Sequence, residues 1–445
     1  MLNQTYLDML QEKDLIFEIF GYSVKRAAQV GPDNVYDFSL GNPSLPPPDS
    51  VTRTFQRILD ETDPVTLHGY SPSPGIPAVR DQIAADLNRR FRPESLQAAK
   101  AARDADALPT AEASGDTDAI PAAKASRDAD ALPATGIPYP CFRPYSAGNI
   151  FMTSGAAGAI AHALRAVASP GDEILAIAPC FSEYKPYTAG AGLRLKVVPA
   201  DTDHFQIDFD RLQEMLGPRV SAVLINSPCN PSGIVYSTET IRTLAAIMTE
   251  KSMVYGHPIF LISDEPYRDI IFKGVDNPYI ANYYPDTLTC YSFSKSISLP
   301  GERIGYLAVN PDSSYAADIM AICPQISRTI GHNSTAALLQ RTVACVCDQT
   351  SDLEVYETNM NLLYEGLTSY GYECVKPGGT FYMFPRSLEP DDQAFCRRAM
   401  MELDLMLVPG SIFGCPGHFR IAYCVPTERI HKALPVFKKL ADMYR

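Results

Sequence analysis

The sequence predicts an α/β protein in which a mostly parallel, mixed sheet is sandwiched by helices and is followed by a smaller α+β domain. Three observations support this fold class. From residue 149 to 310, short apolar runs alternate with segments of helical periodicity, as in parallel strands joined by helices. Beyond about residue 320 the helical patterns become longer. Hydrophobic residues form 46% of the chain, which is enough for a large core.

Residues 5–30 are predicted to form an amphipathic helix, and Gly31-Pro32 is its stop signal. Its apolar positions at helical spacing are Leu7, Leu10, Ile16, Phe20 and Val24. A short strand is predicted at 36–40. The predicted strands of the main sheet are 150–152, 173–178, 194–198, 220–225, 259–262, 288–291 and 304–309. A further strand at 378–384 and a C-terminal helix at 427–444 belong to the smaller domain.

Three segments are predicted from this order. Residues 1–50 hold the N-terminal helix and a segment that joins the small domain. Residues 51–320 form the large domain, and residues 321–445 form the small C-terminal domain. The large domain carries an Ala- and Asp-rich insertion at about 93–138, in which the sequence AAKAARDADALPT at 98–110 recurs as AAKASRDADALPA at 122–134. Two copies are too few for a solenoid, so we interpret the segment as a surface insertion of unknown role.

Charge and composition exclude several classes of function. The 445 residues include 38 Lys and Arg against 51 Asp and Glu, so the net charge is −13 and no basic surface for nucleic acid is expected. No apolar run approaches the 18 residues of a membrane helix, and the N-terminus lacks the features of a signal peptide. The 11 cysteines are odd in number and irregularly spaced, and they show no metal-binding pattern. A cytoplasmic protein with reduced thiols, no metal and small-molecule substrates is expected.

Chemically active residues follow the predicted strands, where open α/β sheets bind ligands. After successive strands come the small residues Ser154 to Gly158, then Phe181, then Asn230, then Asp264 with Glu265 and Tyr267, and finally Ser292, Ser294 and Lys295 with Arg303. Small residues that open a helix leave backbone N–H groups for an anion. Acids at the end of a buried strand need a cationic partner, and burial lowers the pKa of a lysine there. Taken singly, the glycine turn, the aromatic residue and the Asn-Pro turn also fit plain packing or turn roles.

One ligand satisfies these groups together, namely an aromatic cation with a phosphate tail and an aldehyde that reacts with lysine. Pyridoxal 5'-phosphate has this chemistry. Lys295 would form the Schiff base, and Asp264 would pair with the protonated ring nitrogen. The remaining predicted contacts are Tyr267 and Asn230 to the ring hydroxyl oxygen, Phe181 stacked on the ring, and Ser292, Ser294, Arg303 and the backbone amides of Gly155, Ala156 and Ala157 to the phosphate.

The order and spacing of these residues resemble one family. The motifs are Asn230-Pro-Ser-Gly233, Asp264-Glu-Pro-Tyr267, and Ser292-Phe-Ser-Lys295 with Arg303 eight residues further on. The sequence resembles the class I and II aminotransferases of fold type I, which are aspartate aminotransferase-like enzymes. The resemblance covers nearly the whole chain except the insertion. It implies the fold-type I architecture, pyridoxal phosphate as cofactor, and Lys295, Asp264 and Tyr267 as catalytic residues.

The same resemblance implies a substrate site and a dimer. Gly41 lies in the turn that approaches the substrate carboxylate, and Arg420 is the arginine that binds the α-carboxylate together with Asn230. Tyr70 is the tyrosine that reaches the phosphate of the neighbouring subunit, so a homodimer is expected. Arg328 is a candidate for recognising the side chain of a dicarboxylate substrate from the neighbouring subunit, although an ordinary surface arginine also fits this position.

The resulting hypothesis is an aminotransferase that moves the amino group of an L-amino acid to a 2-oxo acid by a ping-pong mechanism. A carbon–sulfur β-lyase on the same fold and cofactor is the alternative, because the same lysine, aspartate and arginine serve both reactions. A cofactor-binding regulator is a third possibility, but relatives of that kind carry an N-terminal DNA-binding domain, which the pattern here does not show. Cys229, beside Asn230, either contacts the substrate or packs in the core.

Overall fold

The computed structural model describes residues 2–10, 15–92 and 143–445, so the predicted insertion and its repeats lie outside the described residues. The strands in this part of the chain are β1 Tyr36–Asp37, β2 Ile150–Thr153, β3 Glu173–Ile177, β4 Arg194–Val198, β5 Val220–Asn226, β6 Phe260–Asp264, β7 Thr287–Ser292, β8 Gly305–Val309, β9 Tyr382–Met383, β10 Leu405–Met406, β11 Val408–Pro409 and β12 Phe419–Ala422. Each strand predicted for the main sheet is present within two residues of its predicted bounds.

The main sheet has seven strands in the order β2-β8-β7-β6-β5-β3-β4. Strands β3 to β7 pair in parallel with their neighbours, whereas β8 runs antiparallel to both β2 and β7. The predicted mostly parallel, mixed sheet is therefore confirmed. Because parallel neighbours start and end at the same edges, the carboxyl ends of β5, β6 and β7 lie side by side.

Both faces of this sheet are buried, as a parallel sheet requires. In β3, Ile174 packs into the core on one face and Leu175 packs into the core on the other. On the first face the helix Gly155–Val167 contributes Ile160 and Leu164, among others. On the second face the helix Thr238–Tyr255 contributes Leu244. Most strands of the sheet are therefore continuous hydrophobic runs, because both of their sides are buried, whereas the edge strand β4 is only partly buried.

The helices of the described residues are α1 Gln4–Met9, α2 Leu15–Val30, α3 Asp49–Glu61, α4 Pro64–His68, α5 Pro77–Phe91, α6 Gly155–Val167, α7 Tyr184–Ala189, α8 Phe209–Met215, α9 Thr238–Tyr255, α10 Phe293–Ser296, α11 Ala316–Thr329, α12 Ala337–Val346, α13 Glu354–Ser369, α14 Asp392–Leu403 and α15 Thr427–Asp442. The C-terminal helix agrees with the prediction. None of these helices is long and apolar enough to cross a membrane.

The N-terminal prediction needs a correction. The predicted single helix is described as two, α1 and α2, and α2 ends at Val30 before Gly31, as predicted. Its buried stripe is Ile16, Ile19 and Ser23, whereas Val24 and Leu10 are exposed. From Ile16 through Phe20 to Val24 the predicted stripe advanced by four residues at each step, which drifts off a face with a 3.6-residue period.

The remaining strands form two small sheets. β1 pairs in parallel with β10, so the segment before residue 40 joins the C-terminal part of the chain. β11, β12 and β9 form a three-stranded antiparallel sheet, in which Ala422 of β12 pairs with Tyr382 of β9. The strand predicted at 378–384 was too long, because only Tyr382–Met383 forms a strand, Gly379 makes an isolated bridge to Ile271, and Thr380 has a φ of 63°. A positive φ interrupts an extended strand.

Candidate active site

One edge of the main sheet carries the predicted site. Asn226 at the end of β5 is the register partner of Asp264 at the end of β6, which is itself paired with Cys290 of β7. A cavity of about 290 Å³ opens beyond these strand ends. Its lining residues are Ile16, Phe17, Leu40, Gly41, Ala156, Ala157, Ile160, Phe181, Glu183, Tyr187, Asn226, Asn230, Asp264, Pro266, Tyr267, Ser292, Ser294, Lys295, Pro300, Arg303, Tyr382 and Arg420.

Asp264 lines this cavity, and its two carboxylate oxygens differ. Tyr184 donates its hydroxyl hydrogen to Asp264 Oδ2 at 2.7 Å, whereas Oδ1 is buried and has no hydrogen-bond partner among the described residues. Burial raises the pKa of the Asp264 carboxyl to about 7, and the neighbouring Glu265 raises it as well. Glu265 itself meets Arg268, whose Nη1 lies 3.1 Å from its Oε2. Of the two acidic residues at this strand end, Glu265 therefore forms an ion pair with Arg268. Asp264 Oδ1 remains available to a ligand.

Lys295 lies one helical turn beyond β7, at the floor of the cavity. Its Nζ donates a hydrogen bond to the backbone oxygen of Gly41 at 2.7 Å. Burial lowers the pKa of the Lys295 ammonium to about 8, and the positive charges of Arg303 and Arg420 lower it further against the opposing effect of Cys424. A lysine with this pKa has a substantial neutral fraction near pH 7 to 8, as a nucleophile or base requires.

An anion cradle is built where β2, β7 and the start of α6 meet. A Cβ placed on Gly155 would lie 3.1 Å from Arg303 Nη2 and 3.5 Å from Ser292 Oγ, and Gly155 has a φ of 68°. Ser292 Oγ and Ser294 Oγ lie 2.6 Å apart. The cradle therefore combines two hydroxyl groups, one guanidinium and the N-terminus of a 13-residue helix, which is a donor set suited to phosphate.

Arg420 of β12 is buried at the opposite side of the cavity. Its Nη1 donates to Asn230 Oδ1 at 3.0 Å, and its Nη2 donates to the backbone oxygen of Ser39 at 2.5 Å. The guanidinium lies between the rings of Tyr382 and Phe413, at 4.8 and 4.9 Å from their centroids. No carboxylate of the described residues forms an ion pair with this cation, which is held by neutral groups, so an anionic ligand is the partner that its environment lacks.

Gly41 and two tyrosines close the space between Lys295 and Arg420. A Cβ on Gly41 would overlap the hydroxyl group of Tyr382, so the close approach of this turn requires glycine. Tyr382 and Tyr267 are joined through their hydroxyl groups at 3.1 Å. Burial raises the pKa of Tyr267 well above its usual value, so its hydroxyl remains a hydrogen-bond donor.

Most of the predicted site residues are thus brought to one cavity, and Gly155 lies directly behind its wall. Tyr70 is the exception, because it is fully exposed and does not line the cavity of its own chain. Arg328 is exposed on α11, where it donates to Gln325 at 3.0 Å. Of the two roles left open for Cys229, the structure supports packing, since its thiol is buried and donates to the backbone oxygen of Pro179 at 3.4 Å.

Several residues of the site were not predicted from the sequence. Tyr184 holds Asp264, and Asn226 accepts a hydrogen bond from the backbone N–H of Asn230 at 2.6 Å. Tyr382 stacks on Arg420, and Phe17 lines the cavity beside its α2 neighbour, Ile16. Asn226 could have been predicted, because it is the polar residue at the end of strand β5. The others come from distant segments whose contacts no local pattern indicates.

The donor set fits pyridoxal phosphate. A buried carboxylate oxygen without a partner suits a protonated ring nitrogen, and the cradle at Gly155 suits a phosphate group. Lys295 lies in the same cavity, as a lysine that binds an aldehyde must. No group of three or more His, Cys, Asp or Glu residues that could hold a metal ion occurs within the described ranges.

Comparison with known proteins identifies the family. The family model for aminotransferase class I and II matches residues 96–437. A crystal structure of an amino transferase from Eubacterium rectale superposes with a TM-score of 0.86 at 40% identity, covering 100% of this chain and 99% of that one. A probable aspartate/prephenate aminotransferase of Thermus aquaticus is 31% identical over 297 residues, which are 64% of this chain and 74% of that protein.

A third relative matches over almost its full length. It is a probable aspartate aminotransferase of Methanocaldococcus jannaschii, 25% identical over 430 residues, which are 94% of this chain and 97% of that protein. The family match, the superposition and the cavity agree on one chemistry. The chain therefore belongs to the class I and II aminotransferases of fold type I, and it is a pyridoxal-phosphate-dependent aminotransferase.

Proposed function

We propose that Lys295, Asp264 and Arg420 are the residues through which this enzyme transfers the amino group of an L-amino acid to a 2-oxo acid. The observation that supports the proposal most directly is the cavity itself. It places the Lys295 amine, the unpartnered Oδ1 of Asp264 and the buried Arg420 guanidinium around one space. When bound, pyridoxal phosphate supplies an aldehyde for the amino group and a ring that withdraws electrons from the substrate α-carbon.

Lys295 has two tasks in this proposal. Its Nζ holds the cofactor in the resting enzyme, and after the substrate amine replaces it, Nζ accepts the proton of the substrate α-carbon. Burial supports the second task, because it lowers the pKa of the amine to about 8. The hydrogen bond to the Gly41 oxygen holds Nζ beside the turn that lines the same cavity as Arg420.

Three groups of residues orient the reactants. Asp264 Oδ1 would accept a hydrogen bond from the ring N–H of the cofactor, and Phe181 would stack on the ring. Tyr267 and the amide nitrogen of Asn230 would donate to the ring hydroxyl oxygen. The phosphate would be bound by Ser292, Ser294, Arg303 and the N-terminal amides of α6 at Gly155, Ala156 and Ala157. The fork of Arg420 binds the substrate α-carboxylate beside Gly41.

The substrate side chain extends toward a wall formed by Ile16, Phe17 and Leu40. Among the described residues, the Lys and Arg side chains that line the cavity are Lys295, Arg303 and Arg420, and each of them has a proposed task. Selectivity for a dicarboxylate would thus need a cation from outside this set. Arg328 of a second copy of the chain is the predicted candidate.

We also propose a cytoplasmic homodimer. Tyr70 is fully exposed in the single chain, and the apolar residues Leu59 and Val65 are exposed on the neighbouring helices α3 and α4. A partner subunit that covers this surface would receive Tyr70 at its phosphate site. The ten cysteines within the described residues form no disulfide, which suits a reducing compartment.

A single half-reaction tests the proposal. The cofactor-loaded protein is titrated with one amino acid at a time, without any oxo acid, while its visible absorbance and the product are followed. An aminotransferase releases one oxo acid per site and then stops until a second oxo acid is added. Continuous release of pyruvate and ammonia from cysteine-type substrates would instead establish the β-lyase. The structure offers no specific observation in favour of that alternative.

A further inference from the structure

The two carboxylate oxygens of Asp264 differ in their surroundings. Oδ2 accepts the Tyr184 hydroxyl hydrogen at 2.7 Å, whereas Oδ1 has no partner within the described chain. The side chains are almost completely buried, with exposed fractions of 4% for Asp264 and 1% for Tyr184. The backbone oxygen of Asp264 is held separately by the amide of Asn226 at 2.7 Å. Tyr184 is therefore the group that selects which oxygen of this carboxylate remains free.

The position of the Tyr184 hydroxyl is set by rigid surroundings. Tyr184 begins the helix α7, and its backbone oxygen accepts a hydrogen bond from Thr188 Oγ1 at 2.8 Å. Its ring packs edge-to-face against Phe181, with the centroids 5.8 Å apart and the planes at 90°. The same ring belongs to the core between α6 and the sheet. A tyrosine packed in this way delivers its hydroxyl to one point.

The charge around Asp264 makes this hydroxyl important. Burial and the neighbouring Glu265 raise the pKa of Asp264, and the hydrogen bond from Tyr184 acts in the opposite direction. The pKa of Tyr184 itself is raised well above 10, so Tyr184 acts as donor and not as anion. The other titratable groups near Asp264 are Cys229, Tyr187, Tyr267 and Cys290. The Tyr184 hydroxyl is the donor among these neighbours that is hydrogen-bonded to the carboxylate.

We propose that Tyr184 is a positioning residue for the cofactor ring. Its hydroxyl binds Oδ2 of Asp264, which favours the ionised carboxylate and leaves Oδ1 for the ring N–H of pyridoxal phosphate. Tyr184 acts through Asp264 and touches neither substrate nor the reacting carbon. The inference rests on the proposed role of Asp264. It adds to the cofactor site a residue that lies three positions after Phe181 in the sequence.

The test compares two cofactors in Tyr184→Phe. One is pyridoxal phosphate, and the other is 1-deazapyridoxal phosphate, in which a C–H group replaces the ring nitrogen. Dissociation constants are measured by fluorescence quenching of the apoprotein. We expect Tyr184→Phe to weaken pyridoxal phosphate about tenfold, the size of a hydrogen bond to a charged group at the low end of its range. The dissociation constant of the deaza cofactor should change less than about twofold, because this cofactor has no ring N–H group that could donate a hydrogen bond to Asp264.

A matched control is Tyr284→Phe. The Tyr284 hydroxyl is also buried, and it donates at 2.7 Å to the backbone oxygen of Ile259, at the opposite end of β6 from Asp264. This variant loses a comparable hydrogen bond on the same strand without touching the site. It should alter the affinity for the two cofactors equally and by little. An equal loss for both cofactors in Tyr184→Phe would show a merely structural role and overturn the inference, as would unchanged binding of pyridoxal phosphate.

Asp264→Asn separates the inference from the proposal beneath it. If Asp264→Asn weakens pyridoxal phosphate but not its deaza analogue while Tyr184→Phe affects neither, only the role of Tyr184 is wrong. If Asp264→Asn fails to distinguish the two cofactors, the proposed role of Asp264 is wrong. Should Tyr184→Phe not fold, 3-fluorotyrosine at position 184 keeps the ring and makes the hydroxyl a stronger donor. It should tighten binding of pyridoxal phosphate alone, and an equal effect on both cofactors would refute the inference.

Discussion

Replacement of Arg420 by lysine tests the substrate site most sharply. In the structure the Arg420 guanidinium is buried, with its Nη atoms bonded to Asn230 and Ser39 and its faces against two aromatic rings. A planar fork in this position meets a carboxylate with two parallel hydrogen bonds. A lysine at the same place keeps the charge but offers a single point of contact, so Arg420→Lys should lose one of the two bonds.

The size of the effect follows from that single bond. A hydrogen bond to a charged group contributes about 1.5–3 kcal/mol, which corresponds to roughly 10- to 150-fold in a dissociation constant. We therefore expect Arg420→Lys to raise the apparent dissociation constant of the amino acid in the half-reaction by this factor. Stopped-flow absorbance of the loaded enzyme at increasing amino-acid concentration separates this constant from the limiting rate. The limiting rate should fall less, because Lys295 is unchanged.

Arg429→Lys is the matched control. Arg429 likewise donates two hydrogen bonds, in its case to the backbone oxygens of Pro32 and Val35, but it does not line the cavity. Its replacement should leave the apparent dissociation constant of the amino acid within about twofold of the value for the unchanged enzyme, since only surface hydrogen bonds are altered. If Arg420→Lys binds the amino acid as tightly as Arg429→Lys does, Arg420 is not the carboxylate site. The visible spectrum of the bound cofactor should be the same in both variants.

Three further predictions concern other parts of the site. The rate at which the apoprotein captures pyridoxal phosphate should rise with pH with a midpoint near 8, because only the neutral Lys295 amine attacks and burial lowers its pKa to about 8. A midpoint near 10.5, the ordinary value for lysine, would contradict this, and Lys295→Ala should show no lysine-dependent absorbance change at any pH. Tyr70→Phe should weaken cofactor retention severalfold in equilibrium dialysis if Tyr70 donates to the phosphate of a partner subunit, whereas unchanged retention in a verified dimer would argue against that contact. Arg328→Ala should reduce kcat/KM for aspartate and glutamate at least about tenfold more than for alanine, and an equal loss for all three would refute its role in side-chain selectivity.

The strand ends of the main sheet could be predicted from the sequence because their signals are local. A buried parallel strand is a short apolar run, and the residues that follow it are held at one edge of the sheet whatever the rest of the chain does. Asp264, Ser292 and Lys295 were placed in this way. The N-terminal helix was predicted less well, because the choice of its buried face depends on a partner surface far away in the sequence.

The domain boundaries at residues 50 and 320 stay a prediction, as does the role of Tyr70. The structure shows that residues before and after these boundaries share surfaces. β1 pairs with β10, and Phe38 packs with Phe437 in one core. A boundary placed from composition alone has no access to such pairings, because they join segments about 400 residues apart in sequence.

The sequence by itself determined the fold class and pointed to the lysine and the aspartate of the candidate site, since an apolar run and the polar residue after it lie side by side in the chain. Only the tertiary structure decided how the site is held. The hydrogen bonds of Lys295 to Gly41, of Arg420 to Asn230 and of Tyr184 to Asp264 join residues 254, 190 and 80 positions apart. Such contacts depend on the packing of separate helices and strands, whose interaction free energies are summed over the whole core and leave no local pattern in the sequence.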